Sequence, residues 1–150
     1  MTSTPAARLY LDSNVLIYFL EEHSDWGERA GMLMAQGLAR DLDLVTGDAA
    51  MSEVLVGAHR ARDPEIVTTV TTFFTQGPVR VLSHTHEDFA DAARIRARHG
   101  GRLPDALHLA TAHRLGCVAM VSHDAGMARL PALPVLRLDE FDDGWGREPS

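Results

Sequence analysis

The chain contains no lysine: all 14 of its basic residues are arginine. That absence removes several chemistries at once. A phosphate-binding loop of the P-loop type needs its lysine, and Schiff-base or pyridoxal chemistry needs a lysine amine. Receiver domains and haloacid-dehalogenase-like phosphatases also gather aspartates at strand ends, but they normally add a lysine. Cysteine is nearly absent too. Cys117 stands alone, which excludes an intrachain disulfide and any multi-cysteine zinc site. Long apolar runs are missing, the longest being Val15 to Leu20, far short of a membrane span. The first residues, Met1-Thr2-Ser3-Thr4-Pro5, lack the charged and apolar regions of a signal peptide. A cytoplasmic protein without membrane contact is the expectation.

The length of 150 residues, 45% of them hydrophobic, suits one compact domain with its own core. No linker-like stretch, internal repeat or low-complexity segment interrupts it. Strand-like runs alternate with helical ones. Arg8 to Asp12, Asp43 to Thr46, Val79 to Leu82, Cys117 to Ser122 and Val135 to Leu138 read as short strands. Between them, helices are expected over Val15 to Glu22, Trp26 to Ala39, Ala49 to Arg60, from Asp63-Pro64-Glu65 to Phe74, and from Thr85 to His99. Ser13 or Asn14 is the expected cap of the first, and Phe89, Ala92, Ala93 and Ile95 the apolar side of the fifth. Pro104 and Gly116 mark the start and stop of a sixth, and a short helix is expected after Asp124. The alternation argues a three-layer α/β/α fold with a mainly parallel sheet of about five strands. The domain is expected to occupy residues 1–138, with an acidic tail over 139–150.

Four carboxylates stand out in that frame. Asp12 ends the first strand, Asp124 follows the fourth, Asp105 opens the sixth helix, and Glu53 lies in the apolar segment Met51-Ser52-Glu53-Val54-Leu55-Val56. Open α/β sheets bind ligands outside the carboxyl ends of their strands. Ionised carboxylates are costly to bury alone, so several together imply a cation or raised pKa values. Magnesium or manganese, with their taste for oxygen ligands, are the expected cofactor of a nuclease site. Taken singly, each acid has a plainer role as a turn former or a first-turn helix acid.

These segments resemble the PIN-domain nucleases, and most closely the VapC-type toxins of toxin–antitoxin pairs. The likeness rests on Leu11-Asp12-Ser13-Asn14-Val15-Leu16-Ile17-Tyr18, on Glu53-Val54-Leu55-Val56-Gly57, on Leu103-Pro104-Asp105-Ala106-Leu107-His108-Leu109-Ala110-Thr111-Ala112 and on Val121-Ser122-His123-Asp124. It runs from about Leu9 to Leu138. It implies a catalytic, metal-holding quartet of Asp12, Glu53, Asp105 and Asp124, with Asn14 and Ser122 in support. One departure is visible: His123 stands where such toxins often carry asparagine. The resemblance also implies RNA hydrolysis giving a 5′-phosphate and a 3′-hydroxyl, and a cognate antitoxin as partner. The other readings are a housekeeping RNA-processing PIN nuclease and a non-catalytic interaction domain.

A net charge of −7 runs against binding a polyanion, so its distribution matters. The segment 139–148 holds five acids and one base; outside it 13 basic residues face 16 acidic ones, and 12 once the quartet is set aside. Arg60, Arg62, Arg94 and Arg98 are the candidate RNA contacts, with Arg96 and Arg102 nearby. The histidines lack the i, i+4 spacing of a helical zinc motif. Finally, Val15 to Leu20 are apolar around a whole helix. Such a helix must be covered by its own domain or by another chain, which makes a homodimer the expectation.

Overall fold

In the computed structural model, residues 6–124, 126, 127, 130 and 133–140 are described. Five strands form one sheet: β1 (Arg8–Leu11), β2 (Asp43–Gly47), β3 (Arg80–Leu82), β4 (Ala119–Val121) and β5 (Val135–Leu136). Their spatial order is β3-β2-β1-β4-β5, and all four pairings are parallel. The chain first builds outward from β1 to β2 and β3, then returns to place β4 on the other side of β1. The crevice between the ends of β1 and β4 is therefore the topological switch point where such sheets bind ligands.

Alternation along the strands sorts the core into two layers. Leu9, Leu11 and Leu44 point to one face and pack on Val15 and Leu16 of α1 (Ser13–Leu20), Ala30, Leu33 and Met34 of α2 (Gly27–Ala39), Val54 and Ala58 of α3 (Asp48–Arg60), and Val70 and Phe74 of α4 (Pro64–Gln76). Tyr10, Val45 and Met120 point to the other face, against Leu109 and Ala112 of α6 (Leu103–Arg114), while Ile95 of α5 (His86–His99) closes over them. Helices on both faces of a parallel sheet give the three-layer architecture expected. Ile17, Tyr18, Phe19 and Leu20 are half-buried against the first layer. The apolar surplus of α1 is thus covered largely within the chain.

Local differences from the expected elements have physical causes. The cap of α1 is Asp12, not Ser13 or Asn14: its carboxylate accepts from Ser13 N. All three residue types can cap, and the end of β1 selects the first. Pro104 is the second residue of α6, not the first, a place where a missing N–H is equally harmless. Phe89 and Ala93 of α5 face solvent, whereas Asp88 and Ala92 are buried. Strand β5 stops at Leu136, and Leu138–Glu140 turn into a 3₁₀ helix. Most of the short helix expected after Asp124, and the tail beyond residue 140, lie outside the described residues.

Asp88 is buried because its charge is met on every side. Thr85 N–H donates to it in a capping box, Thr111 Oγ1 at 3.0 Å, and Arg114 through Nε at 2.8 Å and an Nη at 3.0 Å. Burial pushes this carboxyl up, but those donors outweigh it and hold it below the ordinary value. Thr111 in turn accepts from His84. Ala49 N–H donates to His84 Nε2, which leaves the proton on Nδ1, 2.6 Å from Thr111 Oγ1. The His84 ring leans on the backbone of Gly47. A Cβ there would come within 2.2 Å of His84 Cε1 and 2.6 Å of Tyr10 Oη. Gly47→Ala is therefore expected to destabilise the fold by about 1–3 kcal/mol, the usual cost of overpacking. Urea unfolding of the two proteins checks this, and equal midpoints would refute it.

Candidate active site

Asp12 is the centre of the site and is only 2% exposed. It leaves β1 at the switch point, with backbone N–H bonded to Val121 O of β4. Its Oδ1 accepts from Ser13 N at 2.8 Å, and its Oδ2 from Ser122 Oγ at 2.8 Å and Asn14 Nδ2 at 3.4 Å. The Ser122 hydroxyl is saturated. It donates to Asp12 and accepts from Asn14 Nδ2 at 3.3 Å and Asp124 N at 3.1 Å, using one proton and two lone pairs. Asn14 Oδ1 accepts from His123 N at 3.2 Å. Asn14 and Ser122 thus splice the carboxyl ends of β1 and β4 around one buried charge.

The other three acids arrive from separate elements. Glu53, on the second turn of α3, accepts from Ser13 Oγ at 2.7 Å. Asp105, in the first turn of α6, lies 3.7 Å from Arg102 Nε. Asp124 follows β4 and accepts from Gly126 N at 2.8 Å. Burial pushes Asp12 up to about 6; the bonds from Ser122 and Ser13 oppose the rise, and the charges of Asp105 and Glu53 add to it. Asp105 is raised as well, by burial first and then by Asp124 and Glu53, against the pull of Arg102. Four carboxylates near one another, with Arg102 paired to Asp105 and Arg137 within electrostatic reach of Asp124, make a negative pocket.

Among the described residues, no three acidic, histidine or cysteine side chains converge closely enough to hold a metal ion as they stand. Ser13, Arg102 and Gly126 N each hold one of the carboxylates to its own side. The donor chemistry nevertheless fits a hard divalent cation. It is all oxygen, crowded, and includes two acids whose ionisation is resisted until positive charge arrives.

The candidate RNA contacts lie apart. Arg60 ends α3, and Arg62 follows in the left-handed region with φ of 54°, both exposed. Arg94 pairs with Asp91 on its own helix, and Arg98 stands exposed one turn later. Among the described residues, Arg102 pairs with the quartet's Asp105. Ser13, expected only as a cap, bridges Asp12 and Glu53. Its adjacency to Asp12 was the available signal, but its partner is 40 residues away. His108, three residues after Asp105, does not enter the pocket. It is buried beneath it, sharing a 2.6 Å hydrogen bond with Tyr10 Oη.

No curated protein matches the chain in sequence. Solved structures do match in fold. The DNA-bound VapBC of Salmonella typhimurium superposes with a TM-score of 0.70 at 17% identity, over 88% of this chain and 98% of that one. FitAcB of Neisseria gonorrhoeae gives 0.66 at 18%, over 89% and 99%. The VapC20 toxin of Mycobacterium tuberculosis, described as cleaving the sarcin–ricin loop, gives 0.63 at 15%, over 78% and 90%. Identities this low establish a shared fold. The PIN domain family model, however, matches residues 9–133, a span that includes all four acids, and the chain belongs to that family.

Proposed function

We propose that the chain is a divalent-metal-dependent endoribonuclease and the toxin of a VapBC-like toxin–antitoxin pair. The observation that carries the chemistry is the gathering of Asp12, Glu53, Asp105 and Asp124, from four elements, at the switch point of the sheet. Asp12 and Asp105 would hold magnesium or manganese, with Glu53 and Asp124 completing the cage. When bound, the cation lowers the pKa of a water and neutralises charge building on the phosphate. Asn14 and Ser122 keep Asp12 in one orientation, so the pocket need not reorganise when charge develops. Glu53, held by Ser13, and Asp124 would orient the attacking water and take its proton. The water oxygen bonds to phosphorus as the bond to the 3′ oxygen breaks, and that oxygen takes a proton from solvent, leaving a 5′-phosphate and a 3′-hydroxyl.

The toxin assignment draws on the family and on neighbours that are themselves complexes, the Salmonella VapBC and a toxin–antitoxin complex from Klebsiella pneumoniae among them. An antitoxin is the partner this reading implies, with a second copy of the chain beside it. No helix among the described residues is long and apolar enough to cross a membrane.

Asp105→Asn is expected to fold and to cleave RNA at least about a hundredfold more slowly, the scale of losing a key electrostatic element. Manganese should raise the melting temperature of the wild type, since a cation that binds only the folded chain stabilises it. The same addition should leave the Asp12→Asn/Asp105→Asn variant unmoved. Wild-type cleavage by Asp105→Asn at saturating magnesium would overturn the assignment, and an equal shift in the double variant would place the metal elsewhere.

The metal-free protein carries a signature in pH. Asp12 ionises near 6 when folded and near 3.8 otherwise. Between those values the folded chain holds the extra proton, so stability falls as pH rises through the window. In chelator, urea unfolding from pH 4 to 7 should show the wild type losing on the order of 2 kcal/mol relative to Asp12→Asn. Parallel profiles would show that Asp12 carries no such burden. Co-expression supplies the remaining check. Growth arrest by the chain alone, relieved by a small protein encoded beside it, is the expected result, and arrest that no adjacent gene relieves would remove the antitoxin from the proposal.

A further inference from the structure

An acidic chain that cuts RNA has a binding problem. Phosphate contacts normally supply most of the affinity for nucleic acid, yet the carboxylate pocket repels phosphates and the net charge is −7. Beside that pocket the structure gathers side chains of another kind. The ring of His123, the residue before Asp124, lies 4.3 Å between centroids from Trp26 and 5.8 Å from Tyr18. Tyr18 in turn lies 4.7 Å from His23. The guanidinium of Arg29 sits 5.7 Å over the Trp26 ring and is held there by a bond to Leu138 O. The chain has only two tryptophans and two tyrosines, and one of each is spent here.

These rings are built in place. The turn from α1 to α2 closes through His23 N–H to Tyr18 O at 2.9 Å and Gly27 N–H to His23 O at 2.9 Å. His23 Nδ1 accepts from the backbone N–H groups of Asp25 and Trp26, which fixes its ring. Gly27 permits the tight corner, since a Cβ would fall 2.9 Å from Tyr18 O. On the other side, Asn14 anchors His123 N, so the amide that orients Asp12 also sets the backbone beneath the His123 ring. Tyr18, Trp26 and His123 are half-buried and His23 is exposed. Tyr18 and Trp26 pack on the core with one side and stay partly exposed, and His123 Nδ1 is buried beside them without a hydrogen-bond partner.

We propose that Tyr18, His23, Trp26 and His123 form a stacking shelf for an unpaired nucleobase of single-stranded RNA, next to the carboxylate pocket. Unstacked bases are commonly taken up on aromatic, histidine and arginine planes, and the base, unlike the phosphate, carries no charge for the carboxylates to repel. The shelf also gives a role to the ring of His123, which the Asn14 bond to its backbone leaves free of the carboxylates. It rests on the proposed function only for the identity of the polymer.

Trp26 reports on its own shelf. In a Trp145→Phe background it is the sole tryptophan, and binding is followed by its fluorescence in chelator, where cleavage is switched off. The probes are an adenosine RNA hexamer and an abasic hexamer carrying the same phosphates. The adenosine hexamer should quench Trp26 and the abasic one should not. His123→Asn should weaken the adenosine hexamer about tenfold, the scale of losing one stacked base, while His123→Phe keeps the affinity. Equal quenching by both hexamers would assign the contact to phosphates and overturn the shelf. So would unchanged fluorescence on binding, or quenching by an antitoxin peptide alone. Base-dependent quenching in a chain that fails to cut RNA with manganese would leave the shelf standing and overturn the nuclease; cutting without quenching would do the reverse.

Discussion

A buried carboxylate at the seam of the sheet governs this molecule. Asp12 is nearly inaccessible, and such a charge would be expelled from a protein interior unless its oxygens were met. The chain meets them with groups from both strands that border the switch point: the amide of Ser13 after β1 and the hydroxyl of Ser122 after β4. The same hydroxyl collects Asn14 and the amide of Asp124. The bond that settles Asp12 is thus also the bond that sets the exit of β4, and with it the positions of His123 and Asp124. The geometry of the pocket follows from the need to solvate one charge.

A second polar layer lies beneath the first and follows from the same periodicities. Tyr10 is two residues before Asp12 on the strand, and His108 three residues after Asp105 on the helix, so each pair shares a face. The Tyr10–His108 bond is therefore a lower rung to the Asp12–Asp105 pair. Burial, with His84 adding to the effect, pushes the pKa of His108 down to about 3, so the ring stays neutral. Below it the His84, Thr111, Asp88 and Arg114 chain ties the end of β3, the start of α5 and the end of α6 together. Helix α6 carries very little amphipathic contrast, with every residue from Ala106 to Ala112 buried. Its rotation is defined by these polar partners.

Much of the architecture was legible because the signals were local. Helix starts at Asp63-Pro64 and Thr85, and the stop at Gly100, are set by side chains within a few residues. Parallel strands buried on both faces announce themselves as short apolar runs. The misreadings share one cause. The burial of Asp88 had no local signal, because its counterion, Arg114, is 26 residues away; Phe89 looked like core because hydrophobicity was the only local clue. Ser13 looked like a cap because Glu53 is brought to it only by the packing of α1 on α3. The acids themselves were legible by position in the fold, as strand-end and helix-start residues. Their mutual influence on ionisation was not, since it depends on distances across four elements.

The distribution of arginine completes the electrostatic argument. Arg114 is consumed by Asp88, Arg8 and Arg80 by Asp43, Arg94 by Asp91 and Arg137 by Asp139. Among the described residues, Arg102 forms an ion pair with a member of the quartet, and it is largely exposed. Such a pair, at 3.7 Å and open to solvent, is worth little and yields easily to a stronger positive charge. The carboxylates are gathered by the backbone and by neutral donors, with the strongest arginine partners engaged elsewhere. A pocket assembled in this way keeps its negative potential in reserve. Any cation that enters gains the attraction that the fold left unsatisfied.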